Sequence, residues 1–280
     1  MTKYISFTLL FLVCALQSGA QTLTATYVEL ADSADRYIRH QRWDDAERVI
    51  IKALRHEPAN KSNYLLWSNL GIVRTNRGDI NGALMAYDIG IASAPNSTML
   101  LSNRARTHLV AGNREKAFAD LNHALQLDST LQWALKMRGL LNVAGGRLQQ
   151  AADDFNRYRS LYGDDAAVEE GCGDIATFHG NPAEAATHYG MARKLEPEVE
   201  DFHVKYLNAL LQSKQDNVFR EAMAESLKRF PRCGRLYLVR ALYNKEHFLN
   251  DAMESDLKTA IECGIPSEAV TELLDLRNPN

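Results

Sequence analysis

Between Tyr64 and Ser97 the residues Trp67, Leu70, Gly71, Ala83, Tyr87 and Gly90 fall three or four apart on two successive stretches, interrupted at Gly78 and ended at Pro95. Such spacing keeps one side of a helix against a core, so two amphipathic helices joined by a turn are predicted. The arrangement recurs. Gly78, Gly112, Gly146 and Gly180 stand 34 residues apart, and Ala83, Ala117, Ala151 and Ala185 each follow five residues later. Extending that register predicts seven helix pairs, at 27–60, 64–97, 98–131, 132–165, 166–199, 200–233 and 234–267, with one break at Lys61 to Asn63.

Three sites in each window carry the packing. The eighth reads Ala34, Gly71, Ala105, Gly139, Gly173, Leu207 and Ala241; the twentieth reads Ala46, Ala83, Ala117, Ala151, Ala185, Phe219 and Met253. Small residues there let two helix axes approach, and the large residue at the twenty-fourth site (Ile50, Tyr87, Leu121, Phe155, Tyr189, Met223, Leu257) fills the groove beside them. Glycine at the fifteenth site ends the first helix, because it enters the left-handed region without a steric penalty. Proline at the thirty-second, in Pro58, Pro95, Pro197 and Pro231, stops the second. The first five copies follow the pattern and the last two depart from it.

With Trp67, Leu70, Gly71, Ala83, Tyr87 and Pro95 in these places, the window 64–97 resembles the tetratricopeptide repeat (TPR), W-x2-L-G-x2-Y, A-x3-F, P, with Arg74 where the family has Tyr and Tyr87 in place of Phe. The resemblance implies an all-α solenoid of seven TPR-like helix pairs wound into a right-handed superhelix. One pair cannot bury its apolar face alone, so stacked neighbours and a terminal cap are required. Pro266 to Asp275 is the expected capping helix, with Ala269, Val270, Leu273 and Leu274 toward the core and 268–280 completing the chain.

Residues 1–20 read differently. Lys3 gives a basic start, Tyr4 to Leu16 is mostly apolar, and Ser18-Gly19-Ala20 supplies small residues, the pattern of a secretory signal peptide followed by a short arm, 21–26. The apolar run falls short of the roughly 20 residues of a bilayer span. Lipid attachment at Cys14 and an apolar first helix are the alternatives. The expected location is therefore outside the cytoplasm, periplasmic or extracellular if the source is bacterial, with no integral span in the mature chain.

Charge changes this picture little. The net charge is −3, and cleavage after Ala20 removes Lys3 and makes it one unit more negative. That is solubility charge without the basic footprint of a nucleic-acid binder, so no nucleic-acid partner is expected. Export permits disulfides. Cys233 precedes the first helix of the seventh copy and Cys263 lies near the end of its second, so these two either bridge or remain small buried hydrophobes. Cys172, at a seventh site, is expected in the core.

Candidate chemistry is sparse. H-E-x-x-H, G-x-S-x-G, the phosphate-loop pattern and C-x-x-C are all absent from the sequence. A Cys172 nucleophile with His179 or His188 is disfavoured by the core position of the thiol, because catalysis needs an accessible thiolate. No catalytic residue, cofactor or metal site is expected, and the chain is read as a non-enzyme.

What the resemblance implies about binding is a groove. In the family the first helix of each pair lines the concave face with its second, fifth, sixth, ninth, twelfth and thirteenth residues. Carried onto this sequence, the candidate peptide-binding residues are Asn69, Ile72, Asn76, Asn103, Arg106, Trp133, Lys136 and Met137, with Glu170, Asp174, Phe178 and Lys205 further along. Apolar anchors among amides and a guanidinium suit an extended peptide or a partner's helix. Asn69 and Asn103, at the same site of successive copies, resemble in part a clamp for a chain-terminal carboxylate. Each of these side chains has packing between neighbouring helices, or plain solvation, as its alternative. The reading is a non-catalytic exported scaffold holding a protein or peptide partner and organising a cell-envelope complex; the alternative is an accessory for carbohydrate or small-ligand capture.

Overall fold

The computed structural model describes residues 25–270, and those residues form helices and turns with no strand. The signal-peptide segment 1–20, most of the arm 21–26, and Leu273 and Leu274 of the expected cap lie outside the described residues. Contacts divide the chain into two units, Met1–Leu141 and Asn142–Asn280.

The first unit carries α1 (Ala25–Arg39), α2 (Trp43–His56), α3 (Asn63–Arg77), α4 (Ile80–Ser93), α5 (Thr98–Val110), α6 (Arg114–Leu127) and the larger part of α7 (Gln132–Ala144). Its core gathers Tyr27, Ala34, Ile50, Leu66, Leu70 and Val73, all but closed to solvent, with the half-buried Trp67 and Trp43 packed against them. The second unit carries the end of α7, α8 (Leu148–Tyr162), α9 (Ala166–Phe178), α10 (Pro182–Leu195), α11 (Glu200–Gln212), α12 (Asp216–Arg229), α13 (Gly234–Glu246) and α14 (Asn250–Glu262). A further helix opens at 267–270, where Val270 is buried.

The close approach expected at the eighth site is visible where that site is glycine. A Cβ on Gly71 would overlap the Tyr87 ring, and one on Gly173 would lie 2.5 Å from Cε1 of Tyr189. In the sixth copy both sites break the pattern, yet Leu207 is 0% and Phe219 1% exposed in one cluster with Met223 and Tyr243. That copy departs from the motif in sequence and still packs.

The turns obey a stricter rule than the glycines alone show. Every fifteenth site has a positive φ: Gly78, Gly112, Gly146 and Gly180, and also Gln41 (55°), Lys214 (54°) and Phe248 (59°). At each turn the next amide reaches back to the carbonyl five residues before it, as Asp79 N to Arg74 O (2.9 Å), Gln215 N to Leu210 O (3.1 Å) and Leu249 N to Asn244 O (2.9 Å). This is the Schellman closure, which satisfies the last carbonyls of the helix. Three copies accept a backbone penalty of roughly 1–2 kcal/mol each to make it with a side chain present.

Candidate functional site

The expected groove residues of the first unit lie on α3, α5 and α7, and the structure sorts them. Asn103 is fully buried, and its amide donates to Ser68 Oγ at 3.2 Å, a hydroxyl that is itself closed to solvent. Ile72 is buried as well, at 2% exposure. Alongside them the Thr75 and Thr107 hydroxyls are 2.9 Å apart. These side chains form a polar and apolar seam between α3 and α5, which corrects their assignment to a binding surface. The partial clamp fails for the same reason: the Asn103 amide is committed to Ser68, and only Asn69 of the pair keeps a half-buried, accessible position.

Asn76 turns its amide onto its own helix, donating to Ile72 O at 2.9 Å. Arg106 and Trp133 come together instead. The guanidinium carbon lies 3.9 Å from the centroid of the Trp133 ring, joining α5 to α7 face on. Both side chains are half-buried, and burial pulls the Arg106 guanidinium down to about 10. A partly dehydrated cation over an indole is a stronger attraction than an exposed one, and it holds the ring flat. Lys136 and Met137, on the same helix as Trp133, are half-buried too.

In the second unit the acidic positions are paired. Lys205 Nζ lies 2.6 Å from Glu170 and 2.9 Å from Asp174, and Tyr189 donates to the same Asp174 at 2.7 Å. Burial works against the Lys205 charge, but its hydrogen bonds to Glu170 and Asp174 outweigh that and raise its pKa. Asp201 pairs with Arg235 at 2.6 Å. Phe178 projects, 73% exposed.

Cysteine chemistry is quiet. Cys172, Cys233 and Cys263 are free thiols, so of the two alternatives for Cys233 and Cys263 the structure takes the unbridged one, with Cys233 buried and Cys263 half-buried. The buried Cys233 thiol is hydrogen-bonded to Glu200, and burial first, then that bond, pushes it up to about 11. Burial likewise raises Cys172 to about 11, which leaves it protonated near neutrality. His188 is engaged by the buried carboxylate of Glu169, 2.7 Å from its Nδ1. Among the described residues no group of three or more side chains is placed to hold a metal ion, and no helix is long and apolar enough to cross a membrane.

Sequence reasoning missed one recurrent device. Arg104 grips Asp120 through two bonds (2.9 and 2.6 Å), and Arg240 grips Asp256 in the same way (2.9 and 2.5 Å). Both pairs link the seventh site to the twenty-third. The signal was present as an Arg and an Asp sixteen residues apart, hidden because charged residues were read as solvated.

No family model matches the chain. It is similar to human tetratricopeptide repeat protein 6, 26% identical over 175 residues, or 62% of this chain and 33% of that protein. It is also similar to tetratricopeptide repeat protein 36 of Danio rerio, 32% identical over 95 residues, 32% of this chain and 51% of that one. The chain thus spans about a third to a half of these relatives. Among solved structures, a tetratricopeptide repeat protein of Parabacteroides merdae covers 90% of this chain and 99% of its own at 23% identity, with a TM-score of 0.64. YrrB, described as a TPR protein with an unusual peptide-binding site, matches 69% of this chain and 99% of its own at 15% identity and a TM-score of 0.59. The fold is that of TPR solenoids.

Proposed function

We propose that the chain is a non-catalytic TPR scaffold that holds a segment of another polypeptide against α3, α5 and α7 of its first unit. The observation that carries this reading is the Arg106–Trp133 stack, a large apolar ring presented with a cation above it. The ring supplies contact area at low entropic cost, and the guanidinium supplies donors for a backbone carbonyl or a carboxylate. Asn69, Lys136 and Met137 extend the same surface. The peptide-binding site of YrrB is a property of that protein and supports the choice of ligand class here only through the shared fold.

Residues 1–20 are read as an export signal, which places the scaffold at the cell envelope, periplasmic or extracellular. Sequencing the N-terminus of the mature protein tests this, with a start at Gln21 expected. For the binding reading, a photocrosslinker placed at Met137 in the native cell should capture a discrete protein partner. Substitution of Trp133 by Ala should abolish the capture while the chain stays folded. Capture unchanged by that substitution refutes the site. Carbohydrate capture finds less support, because one face of Trp133 is already covered by Arg106.

A further inference from the structure

In the first unit Arg104, on α5, donates to Asp88 of α4 at 2.6 Å and holds Asp120 of α6 through two bonds of 2.9 and 2.6 Å, so α4 and α6 flank α5. These three residues, with Leu84, His108, Lys116 and Ala119, line a cleft of about 330 Å³. His108 is 7% exposed, and its Nδ1 is closed to solvent without a hydrogen-bond partner. The ring makes no hydrogen bond to any described residue. A neutral imidazole carries one N–H and one bare nitrogen, and leaving them unmet when buried is costly.

Other copies close the same place from within. Asn244, at the eleventh site of its window, donates to the twenty-third-site Asp256 at 2.9 Å, although Asp256 is already held by Arg240, and Asn142 donates to Asp154 at 3.3 Å. His108 and Asp120 occupy those two sites in their own window, yet no bond joins them. Two open charges share the cleft. The exposed Lys116 makes no ion pair among the described residues, and Asp88, its side chain 62% exposed, uses only Oδ1 on Arg104. Burial first lowers the His108 pKa, while Asp120 and Asp88 favour its cation and Arg104 and Lys116 oppose it. The ring is therefore neutral near pH 7.

We propose that this cleft binds a free α-amino acid with a small apolar side chain, its ammonium on Asp88, its carboxylate on Lys116 and the His108 N–H, and its side chain against Leu84 and Ala119. Charge decides the class. Two carboxylates are balanced by a guanidinium and an ammonium around a neutral ring, so a simple anion would meet Asp88 and a simple cation Lys116, whereas a zwitterion answers both. The cleft lies at the small end of ligand sites, which suits a molecule of this size. Arg104 and His108 each stand two residues from Arg106 and so on the opposite face of α5, which makes this inference independent of the polypeptide site.

The test titrates the whole chain, labelled with ¹⁵N, with L-alanine, propionate and ethylamine at constant ionic strength, following the amides of α5 by NMR. Saturable shifts with L-alanine are expected, and binding about tenfold weaker with either half-molecule, each of which lacks one charged contact. His108→Asn introduces the residue that closes this place in two other copies, so it should keep the fold and weaken L-alanine binding about tenfold. Asp88→Asn, at an exposed position, should weaken L-alanine binding and leave propionate binding no weaker. Propionate or ethylamine binding as tightly as L-alanine, no saturable shift in the wild type, or two folded variants that both bind L-alanine as tightly as the wild type would overturn the proposal.

Discussion

The Tyr189 ring occupies the space that a Cβ on Gly173 would need, its Cε1 2.5 Å from that point, and the Tyr189 hydroxyl continues onward to Asp174 at 2.7 Å. One aromatic side chain thereby sets the distance between α9 and α10 and ties the pair to the polar cluster around Lys205. The same contact is made by Tyr87 over Gly71 in the first unit.

Gly173→Ala should therefore destabilise the protein by roughly 1–3 kcal/mol through overpacking, despite the helix-propensity gain of about 1 kcal/mol that alanine brings elsewhere. Urea denaturation measures it. An unchanged midpoint would show that the ring moves aside freely.

At the turns the opposite sign is expected. Phe248 has φ of 59° and is 87% exposed, so its side chain offsets little of the backbone penalty. Phe248→Gly should be neutral or stabilising by up to about 1 kcal/mol, the relief of strain exceeding the extra freedom that glycine gives the unfolded chain. Gly180→Ala should lose about 1–2 kcal/mol at the equivalent site. Thermal unfolding of the two variants side by side tests the pair of signs.

Two tryptophans separate packing from binding. Trp67 packs against the first-unit core and Trp133 lies beneath Arg106. Trp67→Ala should cost roughly 3–5 kcal/mol, whereas Trp133→Ala should cost clearly less and chiefly weaken partner capture. Equal losses of melting temperature would contradict the assignment of Trp133 to a surface role.

His203 provides a pH dependence. It is 0% exposed, with Nδ1 2.8 Å from Ser226 Oγ and Nε2 3.1 Å from Pro197 O, and burial lowers its pKa. Burial disfavours the imidazolium more than the Pro197 carbonyl, which accepts from Nε2–H, favours it. Because the folded pKa lies below the unfolded value of about 6.5, the unfolded chain takes up the proton first. The contribution of His203 is thus full above that pH and declines as pH falls through it toward the folded pKa. Urea midpoints measured between pH 7.5 and 5.5 should drop, and His203→Gln should flatten the slope.

Much of this is legible in the sequence. Gly78 to Gly180 at one spacing, with alanine five residues on, specified helix pairs because backbone closure and axis approach each demand a particular small residue. Gln41, Lys214 and Phe248 take the same left-handed conformation, and nothing in their chemistry announces it; the neighbouring turns impose it through the Schellman bonds. The groove was harder to read. Asn103 and Asn69 share a site number, yet one is buried on Ser68 and the other is accessible, because the residue opposite differs from copy to copy.

The sequence alone determined the period, the helix pairs and the small-against-large packing sites, since these follow from spacing along one chain and from the size of single side chains. Tertiary structure alone decided that Arg106 covers Trp133 and that Cys233 turns to Glu200 rather than Cys263. Those outcomes depend on which side chains from different helices compete for the same few ångströms. Periodicity carries no record of that competition.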